Sequence, residues 1–198
     1  MAISPAAVKE LREKSGAGMM DCKRALSASN GDMSAALDAL RKQGIASAEK
    51  RGSREAKEGL VESYIHPGNR VGVLIEVNSE TDFVARTDEF GQLVRDLAMQ
   101  VAAAAPLAVR REDLDQTVIE KEREIFRAQV AESGKPANII DKIVDGRIEK
   151  YFSDVCLLDQ AFIKDPSMTV GEMVKAAGGK MGENIVVRRF TRFALGQA

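Results

Sequence analysis

The chain has 198 residues, 44% hydrophobic and 30% charged, which is a globular composition with material for one moderate domain or two small ones. Twenty-nine basic against 30 acidic residues exclude a chain-wide basic surface for nucleic acid or membranes. Cys22 and Cys156 form no CxxC pair, no apolar run nears the ~18 residues of a membrane span, and the start has no secretion-signal block, so the expected setting is a reduced cytoplasm.

In chain order, Ser4-Pro5 reads as an N-cap followed by proline at the first helical position, with Val8 and Leu11 on the apolar side. "SGAG" (Ser15 to Gly18) breaks that helix. A second helix takes "MMDCKRALSA", with Met19, Cys22 and Leu26 on one face. Asn30-Gly31 stops it and Asp32 caps a third, in which Met33, Ala36, Leu37 and Leu40 recur at amphipathic spacing and Gly44 marks the end. Residues 1–50 are thus expected to form a three-helix bundle, followed by a linker over 51–59 within the alanine- and charge-rich stretch from Ile45 to Gly59.

The remainder, 60–198, reads as an α+β core. "LVESYIH" and "RVGVLIEVN" flank Pro67-Gly68-Asn69, a hairpin signal with Val71, Val73, Ile75 and Val77 on one face. Phe90, Leu93, Val94, Leu97, Ala98 and Val101 then mark a helix that Pro106 stops. Charged helix formers over 112–152 interrupted by Gly134-Lys135-Pro136 predict two long antiparallel helices, a projecting hairpin with Val118, Ile125 and Phe126 as a thin seam on its first arm. "DVCLLDQAFIKDPSM" reads as an irregular or extended return. "TVGEMVKAAGG" reads as a short helix capped by Thr169 and ended by Gly178-Gly179. "ENIVVRRFTRFAL" alternates like a strand that should join the hairpin in a small antiparallel sheet.

Catalytic chemistry is not expected. His66 is the one histidine, which removes His-based triads and metal clusters, and no GxxxxGK[ST] or GxGxxG is present to cradle a nucleotide. No cofactor or metal is implied. The residues that invite a question are exposed-type positions filled by apolar side chains. Met19 and Met20 point about 100° apart on a helix, so they are either both core or one of them a contact residue. Asp82-Phe83, in "NSETDFVARTDEF", has two readings as well. Asp82 caps a turn while Phe83 tucks under the sheet, or the pair is a wedge whose ring enters a partner's cleft.

Four stretches carry a resemblance. "SGAGMMDCKRAL" (Ser15 to Leu26), "IEVNSETDFVAR" (Ile75 to Arg86), the run from Ile119 to Val174 and "IVVRRFTRFALG" (Ile185 to Gly196) together resemble the bacterial elongation factor Ts family over nearly the whole chain. The resemblance implies a guanine-nucleotide exchange factor, not an enzyme, that binds the GTPase elongation factor Tu without binding nucleotide itself. It implies that the N-terminal bundle is similar to a ubiquitin-associated domain and docks through Met19, Met20 and Lys23. It also implies that Thr81, Asp82, Phe83 and Val84 act near the partner's Mg²⁺, that His66 meets another partner domain, and that the 112–152 hairpin is a coiled-coil or dimerisation region. Long members carry two core subdomains and this chain shows one, so a homodimer is expected. The rival readings are an RNA-binding module built on Arg188, Arg189 and Arg192 between Phe190 and Phe193, and an adaptor that binds a protein without accelerating release.

Overall fold

The computed structural model describes residues 3–131 and 136–197. It divides into two compact units, each described by itself: one takes the chain up to Leu60 with Asn78–Gly91 and Glu172–Val186, the other takes Val61–Val77, Gln92–Gly171 and the chain from Val187 onward.

In the first unit, α1 (Pro5–Ser15) opens as its sequence directs: the Ser4 hydroxyl accepts from the Ala7 amide at 3.2 Å and Pro5 fills the first turn. Gly16, at φ 67°, closes it by donating its N–H to the Arg12 carbonyl at 2.8 Å. After α2 (Met19–Ala28), Asp32 caps α3 (Met33–Arg51) by accepting from the Ala35 amide at 3.0 Å. Val8, Leu11, Cys22, Ala25, Leu26, Ala36 and Leu40 form the shared core. Two expectations fail here. Met19 does not share the core face with Cys22 and Leu26, and α3 runs through Gly44 to Arg51.

Helix α8 (Val170–Met181) likewise runs through Gly178-Gly179 instead of stopping there. A β-carbon on Gly179 would lie 2.7 Å from the Gly44 carbonyl oxygen and 2.8 Å from its Cα; one on Gly178 would lie 2.8 Å from the Glu183 carbonyl oxygen. Gly179 and Gly178 thus let backbones approach closely, whereas a β-carbon on Gly44 would meet open space; none of the three breaks its helix. The stop is Gly182, at φ 78°, whose N–H and that of Glu183 both reach the Gly178 carbonyl.

The three-stranded sheet has the order β1 (Glu58–Ile65), β2 (Val71–Ser79), β5 (Val186–Ala194). The His66 amide donates to Val71 at 2.9 Å, which closes the expected hairpin around Pro67-Gly68-Asn69. Leu195 donates to Arg70, and Arg189 pairs with Glu76 at 2.7 Å; the numbers fall on β5 as they rise on β2, so these strands are antiparallel too. Val73, Ile75 and Val77 are buried, as are Phe90, Leu93, Val94, Leu97, Ala98 and Val101 of α5 (Asp88–Ala104). The other face of the sheet carries Val61 and Ile65, Leu74, Phe193 and Leu195, all more than half exposed.

Within the second unit, α6 (Gln116–Ala131) and α7 (Ala137–Val155) pack against each other. Arg123 pairs with Asp145 and Arg127 with Asp141, so the helices are antiparallel. The first arm starts at Gln116, after a short 3-10 turn at Arg111–Asp113, and not at Glu112. Its seam differs in part from the expected one: Phe126 is half-buried with its ring facing Arg147 of α7, and Ile119 and Val130 are buried, whereas Val118 and Ile125 are each 39% exposed. The Gly134-Lys135 turn lies outside the described residues. The stretch expected to be irregular or extended carries a 3-10 turn, Leu157–Asp159, and a two-stranded antiparallel sheet of β3 (Ala161–Phe162) and β4 (Asp165–Thr169). Buried Gln100 and Gln160 organise it. Gln100 donates to the Gln160 side chain and the Ala161 carbonyl and accepts from the Ile163 amide at 2.8 Å.

Candidate functional site

Strand β2 ends in three buried residues, Val77, Asn78 and Ser79, and the chain then turns sharply: residues Asp82–Ala85 form a single helical turn, α4. The cap is Thr81, not Asp82. Its Oγ1 accepts from the Val84 amide at 3.4 Å, and Asp82 spends its carboxylate on Arg86 at 2.8 Å. Phe83 does not tuck under the sheet. It is 80% exposed, the most exposed large apolar side chain among the described residues, which leaves its ring free for a visitor.

The turn is held from behind. Glu183 Oε2 accepts from the amides of Glu80 at 3.0 Å and Thr81 at 3.1 Å, and its Oε1 accepts from the Thr81 hydroxyl at 2.5 Å. The brace is reciprocal. Glu80 Oε1 accepts from the Asn184 amide at 2.6 Å, and its other oxygen faces Arg54 at 3.5 Å. Asn184 Nδ2 donates to the Arg54 carbonyl at 2.7 Å. Ser79, fully buried, donates its hydroxyl to the Thr81 carbonyl at 2.9 Å. Sequence reasoning missed this arrangement, because residues about a hundred positions apart meet only once β5 is laid beside β2.

In the same unit, Met19 is 48% and Met20 67% exposed, with Lys23 also exposed on α2. Both methionines, not one, therefore face water. They sit on the turn opened by the Gly18 N-cap, while Cys22, Ala25 and Leu26 supply the core. Lys180 of α8 lays its stem across Gly16, where a β-carbon would come within 2.0 Å of Lys180 Cε, and its ammonium meets Glu89 at 2.5 Å. His66 belongs to the second unit, exposed at the end of β1, its Nδ1 3.1 Å from the Tyr64 hydroxyl.

Chemical machinery is sparse. No cluster of histidine, cysteine, aspartate or glutamate suited to a metal ion occurs among the described residues, and no helix among them is long and apolar enough to cross a membrane. Cys22 and Cys156 are free and buried; burial pushes the Cys156 thiol up to about 11. Arg111 is raised still further above its usual range by its hydrogen bond to Asp159, with Glu149 adding to it.

Comparison with known proteins decides the family. A model of elongation factor Ts matches residues 45–197. Elongation factor Ts of Carboxydothermus hydrogenoformans is 60% identical over 190 residues, covering 96% of this chain and 88% of the relative. That of Thermoanaerobacter pseudethanolicus is 57% identical, covering 98% and 96%, and that of Herpetosiphon aurantiacus is 54% identical, covering 99% of each. The chain belongs to the elongation factor Ts family.

Proposed function

We propose that the chain is a guanine-nucleotide exchange factor that binds elongation factor Tu and promotes GDP release by displacing its Mg²⁺ during translation elongation. The observation that carries this reading is Phe83, 80% exposed on a capped turn at the end of a buried strand, in a chain of the elongation factor Ts family. No bond is made or broken by the chain, and it holds no nucleotide of its own.

The physics is linkage. A GTPase holds its nucleotide through backbone amides, a lysine and a bridging Mg²⁺. A partner that binds the empty form more tightly than the loaded form weakens nucleotide binding by the same factor. Phe83 entering an apolar cleft beside the metal, with Asp82 competing for polar contacts, supplies the differential interaction that this requires. A coupling of about 4 kcal/mol already corresponds to roughly a thousandfold in affinity. Thr81 and Val84 frame the wedge. Met19, Met20 and Lys23, on a bundle read as ubiquitin-associated-like (residues 1–50), dock on the GTPase domain, and His66 meets a further domain. The α6–α7 hairpin is read as a projecting coiled coil, and the place of action as the cytoplasm, where ribosomes work.

The same reading includes a homodimer. Val61, Ile65, Leu74, Phe193 and Leu195 share one face of an antiparallel sheet, more than half exposed. A second copy related by a two-fold axis covers such a face with its own, because an isologous contact needs only self-complementarity.

The experiment is to mix the chain with elongation factor Tu carrying fluorescent GDP and follow release as Mg²⁺ is varied. A large acceleration at millimolar Mg²⁺ that shrinks as the metal is chelated is expected, since chelation does part of the same work. Binding without acceleration would favour the adaptor reading instead.

A further inference from the structure

Resting on the wedge reading, we propose that Glu183 is a positioning residue for Phe83, acting through Thr81 to fix the angle at which the ring is presented. A threonine hydroxyl has one proton and two lone pairs. Here the proton goes to Glu183 Oε1 at 2.5 Å, so a lone pair is left to accept from the Val84 amide and start α4. The same carboxylate takes the amides of Glu80 and Thr81 on its other oxygen. One side chain therefore sets two backbone amides and one hydroxyl rotor immediately before Phe83. The ring itself makes little contact with its own molecule at 80% exposure, so its direction is inherited from the turn beneath it. Geometry of this kind is what a supporting residue contributes to a functional group.

The test is release of fluorescent GDP from elongation factor Tu, followed against increasing concentration of the chain, so that the plateau rate and the half-saturating concentration are read separately. Glu183→Ala is expected to lower the plateau about tenfold, as a small misplacement of a positioned group does, and to leave half-saturation unchanged. Glu183→Gln keeps an acceptor for the two amides but turns an NH2 donor toward Thr81 Oγ1, so the hydroxyl proton loses its acceptor and the rotor its fixed direction; a loss of about threefold is expected on the same ground. The double variant Phe83→Ala with Glu183→Ala is expected to be no slower than Phe83→Ala alone, because a residue that acts through the ring has nothing left to position. Helical circular dichroism confirms folding. Should the alanine variant lose its helical signal, Glu183→Gln and its double with Phe83→Ala decide in the same way. A parent-like plateau, or effects that multiply in the double variant, overturns the positioning role while leaving the wedge intact. A parent-like plateau in Phe83→Ala itself removes the wedge, and this proposal with it.

Discussion

A phenylalanine held 80% exposed forgoes the burial that its ring could have had, so Phe83 contributes little to the fold that displays it. Its removal should be nearly silent for stability: Phe83→Ala should shift the unfolding free energy by no more than about 0.5 kcal/mol, as other exposed positions do. Chemical denaturation measures this, and a loss of several times that size would mean that the ring belongs to the core. Cys156 is the opposite case. Burial raises its thiol to about 11 in the folded chain, from 9 when free. The folded state therefore holds that proton more tightly than the unfolded one. Its contribution to stability is complete below pH 9 and is lost as pH rises from there through about 11. At pH 8 the native thiol should resist alkylation and the denatured one should not; equal rates would show that the site is open. At this scale the sequence left both residues half-read. The pattern around Phe83 marked it as unusual but could not choose between tucked and displayed, because that choice belongs to Thr81 and to Glu183, about a hundred positions away. Met19 and Met20 were ambiguous for a similar reason: Cys22, Ala25 and Leu26 already fill the core side of α2.

At the scale of elements, caps were legible and glycines were not. Ser4, Asp32 and the Asn30-Gly31 stop act locally, and a local signal can be read from a local string. Gly44 and Gly178-Gly179 look like helix stops, yet both helices run through them; Gly179 serves a close approach to the Gly44 backbone of α3 that no neighbouring residue announces. This gives a paired prediction. Gly179→Ala should destabilise by roughly 1–3 kcal/mol through overpacking against the Gly44 backbone, although alanine is the better helix former. Gly146→Ala, in α7 with open space around the new methyl, should stabilise by about 0.5–1 kcal/mol. Denaturant midpoints of the two variants test both; equal shifts of the same sign would refute the contact argument. The stretch's extended character was open in the sequence, but the pairing of β3 with β4 was not legible because the strands are two and five residues long and their anchor, the Gln100–Gln160 pair, joins positions sixty apart.

At the scale of the whole molecule, the α+β class followed from the change of period along the chain, from helical stripes to strand alternation and back. The family followed from the TDFV and GAGMMDCK stretches, and the comparisons bear it out. Quaternary structure is the proposal that most needs its own test. Leu74→Glu with Phe193→Glu places charge at the centre of the open sheet face, and sedimentation should then report one chain where the parent reports two. A parent that sediments as a monomer would end the dimer reading and leave exchange untouched. The account as a whole turns on whether a braced, exposed ring loosens a metal-held ligand in another protein. Its most direct measurement is the plateau rate of GDP release from elongation factor Tu at saturating Phe83→Ala. The account predicts a fall of about tenfold or more with half-saturation within about twofold of the parent; a plateau equal to the parent's would contradict it.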